Sequence, residues 1–568
     1  MRTMAASLQA IFHDRVDQAP SHRALAFIDP QGRFSWQSLG EVHDRAAGYS
    51  AALLEQGLRP GDVCLLALPS TESCATLLVA TLLLGAVPLL VAPPILPGRE
   101  SFLIALIRVL IRKTGARLVI VPATLADLDE IMPGHRESCP VIRDTDLFPL
   151  AGTRIPRIAP ADTSAAVLQL TSGTTGSPRI CVWTQTAVVA SLEGMAHAMR
   201  LREDDVCLNW TPLYHDMGLA NNFLLCLTQG IPLALLSPTD FIRNPALWLR
   251  GLSDTGSTVT WSPNFGFALA ARKVQDEEVE GVRLERVRAF WNAAERIHLD
   301  TLETFHSRFA PLGVRLDALK TNYGCAENVG GATFSNPDGA FTVERVDEQL
   351  LQEKGIARPL PDVPDGKRHV NVISVGRPCP GIRVHILSRT GRPLRDGHVG
   401  EVALETPSQM REYLGHARGT RRALRDGFLR TGDLGYLRGG ELFWVGRLRE
   451  RIMLRGRKLD PSEFERVLLK IPGLRHGCFV AFGVDDPEHG TQRVVVAVEI
   501  GDPTLDPDGL SAAIRGEVHR QLGVTVDDLL LVLPGTLIKT SSGKRRHRVF
   551  RKAYLTGELR AAAIVGQN

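Results

Sequence analysis

The sequence predicts an α/β protein of stacked mixed sheets flanked by helices, followed by a smaller α+β unit. Three observations carry this. Between residues 25 and 170, apolar runs such as Val63-Cys64-Leu65-Leu66-Ala67-Leu68 and Leu118-Val119-Ile120-Val121 alternate with helical patterns such as 101–114, the alternation of parallel sheets covered by helices. Residues 380–403 read as hairpin strands with turns at Thr390-Gly391 and Asp396-Gly397. Residues 451–568 alternate strands (478–483, 494–500) with amphipathic helices (462–470, 508–522) on a smaller scale.

The chain has 568 residues, 44% of them hydrophobic and 23% charged, enough for several cores. A net charge of +4 is small for this length and argues against a dedicated nucleic-acid binder. Nine cysteines without a Cys-x-x-Cys pair fit reduced thiols in a cytoplasmic protein better than disulfides or a zinc site. Residues 1–20 mix charges with apolar positions and read as an amphipathic first helix, not a secretory signal. The apolar run 74–96 raises the question of a membrane span. Gly85, Pro88, Pro93 and Pro94 divide it into a helix and a short strand, each too short to cross a bilayer.

The run 165–170 reads as a buried strand that ends in Thr171-Ser172-Gly173-Thr174-Thr175-Gly176-Ser177-Pro178-Arg179. Glycines let backbone N–H groups point into one concavity, hydroxyls add donors and Arg179 adds fixed positive charge, a combination suited to a polyphosphate. An ordinary solvated turn has the same composition, so context must decide. The Gly-Lys-Ser/Thr ending of a Walker A loop is absent.

Further along, 206–210 reads as a strand delivering Pro212-Leu213-Tyr214-His215-Asp216-Met217-Gly218 at its end, where open α/β sheets bind ligands. Residues 258–266 read as a strand closing in a turn near Asn264, and core packing accounts for them equally well. Asn322-Tyr323-Gly324-Cys325-Ala326-Glu327 offers a flat ring able to stack on a base and a carboxylate able to hold a hard cation. Asp433, in Thr431-Gly432-Asp433-Leu434-Gly435, is read at a tight turn.

These motifs, in this order from 171 to 544, resemble the adenylate-forming superfamily of acyl-CoA synthetases, fatty acyl-AMP ligases, luciferases and peptide-synthetase adenylation domains. The resemblance implies ATP and Mg²⁺. Thr171, Ser172, Gly173, Thr174, Thr175 and Gly176 would hold phosphate; Ala293, Ala294, Glu295, Asn322, Tyr323 and Gly324 would lie along the adenine. Asp433 and Arg447 would take the ribose, Glu327 with Thr174 the metal, and His215, Asp216 and Asn264 the acid. Arg179, His215 and Lys544 would carry catalysis, Lys544 bridging the carboxylate and the α-phosphate. The chain departs from the family at Arg179 and Ile180, usually Lys-Gly, at Ala293 and Arg296 in an Asn-Gly-Ala-Glu-Pro segment, and at Glu450, usually Asp.

The polar passage 341–370, with Val346-Asp347-Glu348-Gln349-Leu350, looks like the insertion of fatty acyl-AMP ligases and reads as a surface insertion or mobile loop. It favours acyl transfer to the phosphopantetheine thiol of an acyl carrier protein over transfer to CoA. An amino-acid-activating ligase, for which Asp216 would bind the amine, and a catalytically silent nucleotide-binding relative remain as alternatives. The implied organisation is a large domain, 1–447, containing a β-barrel-like subdomain, a hinge at 448–450, and a small mobile domain, 451–568, whose Gly456 loop replaces Lys544 for the second half-reaction. The oligomeric state is left open.

Overall fold

A computed structural model describes residues 7–93, 100–125, 139–152, 157, 161, 163–171, 179–362, 367–448, 450–454, 457–486, 491–501, 506–540 and 545–565. Its largest sheet has nine strands. From one edge to the other they are Arg377–Pro378, Gly330–Phe334, Leu319–Cys325, Ala289–Ala293, Val259–Pro263, Cys207–Asn209, Leu233–Leu236, Arg23–Ile28 and Trp36–Ser38. The central strands pair in parallel and the edges antiparallel. A seven-stranded sheet holds Val63–Leu66, Val87–Leu90 and Leu118–Val121 in parallel, and Ala165–Leu170 runs antiparallel to Ile180–Thr184.

The helix Glu72–Leu83 buries every residue from Cys74 to Leu83, as a helix between two sheet layers must. It leads into the buried strand Val87–Leu90, so the described part of the apolar run, 74–93, belongs to the core. Among the described residues no helix is long and apolar enough to cross a membrane. All nine cysteines are unpaired thiols, and burial pushes Cys64 and Cys74 up to about 12.

A five-stranded antiparallel sheet follows, formed by Arg383–Leu387, Gly400–Glu405, Phe428–Arg438, Leu424–Arg425 and Glu441–Arg447. The C-terminal segment builds its own sheet from Leu474–Asp486, Thr491–Ile500, Asp528–Val532 and Ala563–Val565. The helices Pro461–Leu468 and Pro507–Leu522 cover one face of it and His547–Leu555 the other, giving two apolar cores separate from those of the large sheets.

Two local readings change. Residues 258–266 do not close in a turn: the strand Val259–Pro263 runs directly into the helix Asn264–Lys273, because Pro263 is extended and has no N–H for a helix interior to miss. The passage 341–370 is not a bare loop either. Val343–Asp347 pairs antiparallel with His369–Ile373, and a helical turn, Leu350–Lys354, packs between them and the C-terminal unit.

Candidate active site

Four neighbouring strands of the nine-stranded sheet end on one cleft. Cys207–Asn209 leads to His215 and Asp216, Val259–Pro263 to Asn264, Ala289–Ala293 to Ala294 and Glu295, and Leu319–Cys325 carries Asn322, Tyr323 and Gly324 with Glu327 just beyond. This is where an open parallel sheet leaves backbone groups for a ligand. Thr171 and Arg179 enter from the seven-stranded sheet, and Asp433 and Arg447 from the five-stranded one. The C-terminal unit contributes Asp460, Glu465, Lys539 and Arg545 to the opposite wall, and the cleft encloses about 1510 Å³. Every expected site residue that the structure describes therefore lines one space. Ser172, Gly173, Thr174, Thr175, Gly176, Gly456 and Lys544 lie outside the described residues.

Thr171 and Arg179, the two described ends of the expected phosphate segment, bond to each other. Thr171 N–H donates to Arg179 O at 2.8 Å, and Arg179 N–H donates to Thr171 Oγ1 at 3.2 Å. The Arg179 guanidinium lies over the Tyr413 ring, 4.9 Å from its centre, and Tyr413 Oη donates to Glu327 Oε1 at 2.5 Å. Burial and the Glu327 charge hold the Tyr413 phenol well above its ordinary range, so it stays protonated as the donor. This leaves Glu327 Oε2 for other partners. Sequence reading passed over Tyr413, which sits in an unremarkable two-residue strand more than eighty positions from Glu327; only the fold brings it there.

Tyr323, Asp433 and Arg447 form a second unit. Tyr323 Oη donates to Asp433 Oδ2 at 2.7 Å, and Arg447 Nε lies 3.2 Å from Asp433 Oδ1. Asp433 is nearly fully buried and raises the Arg447 guanidinium above its usual range, while burial first and Asp433 second raise the Tyr323 phenol. Asp433 is not at a tight turn. It lies within the strand Phe428–Arg438, just after Gly432 at φ +75° and just before a register shift, so the local backbone is kinked as a turn would be. Gly324 is a glycine of necessity: a Cβ there would lie 2.2 Å from Gly330 O.

His215 Nδ1 lies 2.7 Å from Asp216 Oδ1, and Met217 N–H donates both to that oxygen at 2.9 Å and to His215 Nδ1 at 3.2 Å. Asp216 and the Met217 amide together engage Nδ1, which leaves Nε2 as the nitrogen facing a ligand. Asn264 lines the cleft, but its side chain is committed. Oδ1 accepts from Asn292 Nδ2 at 3.1 Å and from His298 N–H at 3.2 Å, and Nδ2 donates to Thr301 Oγ1 at 3.3 Å, so it ties strand ends together.

Two of the departures from the resembled pattern, Ala293 and Arg296, have a clear place here. Ala293 ends a strand without a left-handed backbone, so the extra methyl brings no backbone strain; the left-handed residue is Ala294 at φ +71°, a conformation costing roughly 1 kcal/mol. Glu295 Oε1 pins that bend by accepting from Phe265 N–H at 2.6 Å. Arg296 reaches the other wall, donating from Nη1 to Ser462 Oγ at 2.7 Å with Asp460 Oδ1 3.6 Å away.

A nucleotide fits these groups. Asn322 is 2% exposed, and its Oδ1 has no hydrogen-bond partner among the described residues, an expensive state that the amino group of an adenine beside it would relieve. The sequence profile of the AMP-binding enzyme family matches residues 12–414.

The chain belongs to that family. Its likeness to fatty acyl-AMP ligases extends over the whole length. It is 28% identical over 577 residues to the long-chain-fatty-acid–AMP ligase FadD26 of Mycobacterium tuberculosis, covering 96% of this chain and 97% of that one. It is 31% identical over 412 residues to the medium-chain-fatty-acid–[acyl-carrier-protein] ligase JamA of Moorena producens, covering 69% and 68%. A solved structure from a study of fatty acyl-adenylate ligases of E. coli and L. pneumophila superposes with a TM-score of 0.88 at 25% identity, covering 99% of this AMP-binding enzyme and all of that chain.

Proposed function

We propose that the protein activates a carboxylic acid of the fatty class with ATP and passes the acyl group to the phosphopantetheine thiol of a carrier protein. The convergence of Arg179, His215, Tyr323, Glu327, Asp433 and Arg447 on one cleft, each at a strand end or sheet margin, is the observation that supports it. The acid's carboxylate oxygen attacks the α-phosphorus of ATP, a new P–O bond forms, and the bond to the β-phosphate breaks, releasing pyrophosphate and leaving acyl-AMP. Both reactants are anionic, so positive charge fixed in the cleft lowers the barrier. Arg179 stands at the base of the phosphate loop and Lys544 is assigned to the α-phosphate, while His215, held by Asp216, positions the carboxylate. Because Asp216 is engaged with His215, an acid without an amine suits the site better than an amino acid.

Mg²⁺ fits the donor set through Glu327, since this ion takes one or two carboxylates and completes its shell with phosphate and water. When bound it neutralises phosphate charge. In the second half-reaction the thiol sulfur attacks the acyl carbon, the thiol proton is lost, and AMP leaves. The clasp between the insertion and the C-terminal unit favours a carrier over free CoA in this reading: Gln352 Oε1 accepts from Arg457 Nε at 3.1 Å, Gln352 Nε2 donates to Glu463 Oε2 at 3.2 Å, and Arg368 Nη1 donates to Leu522 O at 3.3 Å. Mass spectrometry of a carboxylic-acid panel with ATP, with and without CoA or a holo carrier protein, tests it. The expected result is acid-dependent ATP–pyrophosphate exchange and an acylated carrier. Efficient acyl-CoA formation refutes the acceptor, and exchange driven only by amine-bearing acids refutes the substrate class.

A further inference from the structure

The wall of the cleft formed by the C-terminal unit carries a second focus of positive charge that the proposed adenylation step does not use. Gly477 is buried, at φ +71°, within the strand Leu474–Asp486. A Cβ built on it would lie 3.1 Å from Lys539 Nζ and 3.9 Å from Arg545 Nη2. Two cationic groups therefore converge on one point beside bare backbone, where any side chain would intrude. Arg545 is fixed in place, with Nη1 2.8 Å from Glu465 Oε2 and its guanidinium over the Phe479 ring at 4.9 Å, which leaves Nη2 to the notch. Lys539 is half-buried and has neither a hydrogen-bond nor an ion-pair partner among the described residues. Burial lowers the Lys539 pKa, because a desolvated ammonium is costly, and an anion placed in the notch would favour its charged form.

This focus is separate from the triphosphate end. Lys539 lies near Glu295, Glu465 and Arg545, on the side where Arg296 meets the C-terminal unit. Arg179 and Glu327 gather instead around Tyr413. Lys539, Arg545 and Gly477 nonetheless line the same cleft.

We propose that Lys539, Arg545 and the Gly477 backbone form a second phosphate-binding notch, which takes either the phosphodiester of the incoming phosphopantetheine arm or the released pyrophosphate. The proposal rests on the acyl-activating reading for the identity of those two ligands, and its test does not need turnover. Calorimetric titration of the full-length protein with inorganic pyrophosphate and, separately, with phosphopantetheine is compared for wild type, Lys539→Gln and Gly477→Ala. Lys539→Gln removes one charge-assisted hydrogen bond from the notch and should weaken one of the two ligands about tenfold while ATP affinity stays within about twofold. Gly477→Ala, which fills the notch and leaves both cations in place, should weaken the same ligand, and its melting temperature reports whether it still folds.

Weakening confined to phosphopantetheine identifies the arm, and weakening confined to pyrophosphate identifies the leaving product. Unchanged affinity for both ligands in folded Lys539→Gln overturns the notch. A protein that binds at Lys539 but activates no fatty acid keeps the notch and loses the acyl-activating reaction.

Discussion

Tyr413 Oη donates to Glu327 Oε1 at 2.5 Å while the face of the same ring lies under Arg179, so one side chain orients both the acidic and the basic group of the phosphate end. Tyr413→Phe keeps the ring beneath Arg179 and removes the hydroxyl. Exchange activity should fall about tenfold, with a higher Mg²⁺ concentration needed for half-maximal rate, the loss expected when one hydrogen bond to a charged group goes. Unaltered magnesium dependence in the exchange assay would remove Tyr413 from this role.

Asp433→Asn tests the nucleotide end. The amide cannot hold Arg447 as a carboxylate does, and it offers one acceptor oxygen to Tyr323 and the ribose instead of two. Calorimetry should find ATP bound about 10- to 100-fold more weakly, about 1.5–3 kcal/mol.

Lys544→Ala should slow adenylation by more than roughly a hundredfold, about 3 kcal/mol in barrier. Acyl transfer from supplied acyl-AMP should continue at nearly the wild-type rate in a single-turnover assay. Equal loss in both steps contradicts a lysine used only in the first.

Arg296 joins the bend at Ala294 to the N-cap of the helix Pro461–Leu468, through Ser462 and Asp460. Arg296→Ala should lower the adenylation rate several-fold and leave ATP affinity nearly unchanged, because the contact positions the C-terminal wall without touching the nucleotide. A double-mutant cycle with Ser462→Ala should return a coupling of about 1 kcal/mol.

His298 sits among Arg296, Glu465, Arg466 and Arg545, and burial first, then Arg296, lowers its pKa from 6.5 to about 3. As pH falls from 6.5 towards 3 the unfolded chain takes up a proton that the folded imidazole refuses, so stability is full above 6.5 and drains away through that interval. The slope is at most about 1.4 kcal/mol per pH unit. Melting temperatures of His298→Asn should decline less steeply than those of the wild type between pH 6 and 4.

The alternation of strands and helices, the order of the motifs and the strand-end placement of His215 were legible in the sequence because each is a local pattern. What escaped it depends on contacts between distant segments. Tyr413 becomes meaningful only when its short strand pairs beside Ile180–Thr184 and reaches Glu327. Arg296 read as a departure from a motif, and its partner Ser462 lies 166 positions away. Asn264, in a segment for which core packing is an equally good account, lines the cleft, and its amide also links Asn292, His298 and Thr301, contacts that no spacing rule reports. The passage 341–370 was polar enough to suggest a loop, and its strand pairing rests on register with His369–Ile373.

The clasp formed by Gln352, Arg457, Glu463 and Arg368 sets a rule for anyone recombining this enzyme with its relatives. A chimaera that imports a foreign tail from residue 451 onward would inherit contacts with no counterpart on the resident hairpin, and so should assemble well only when 341–370 is transplanted from the same donor.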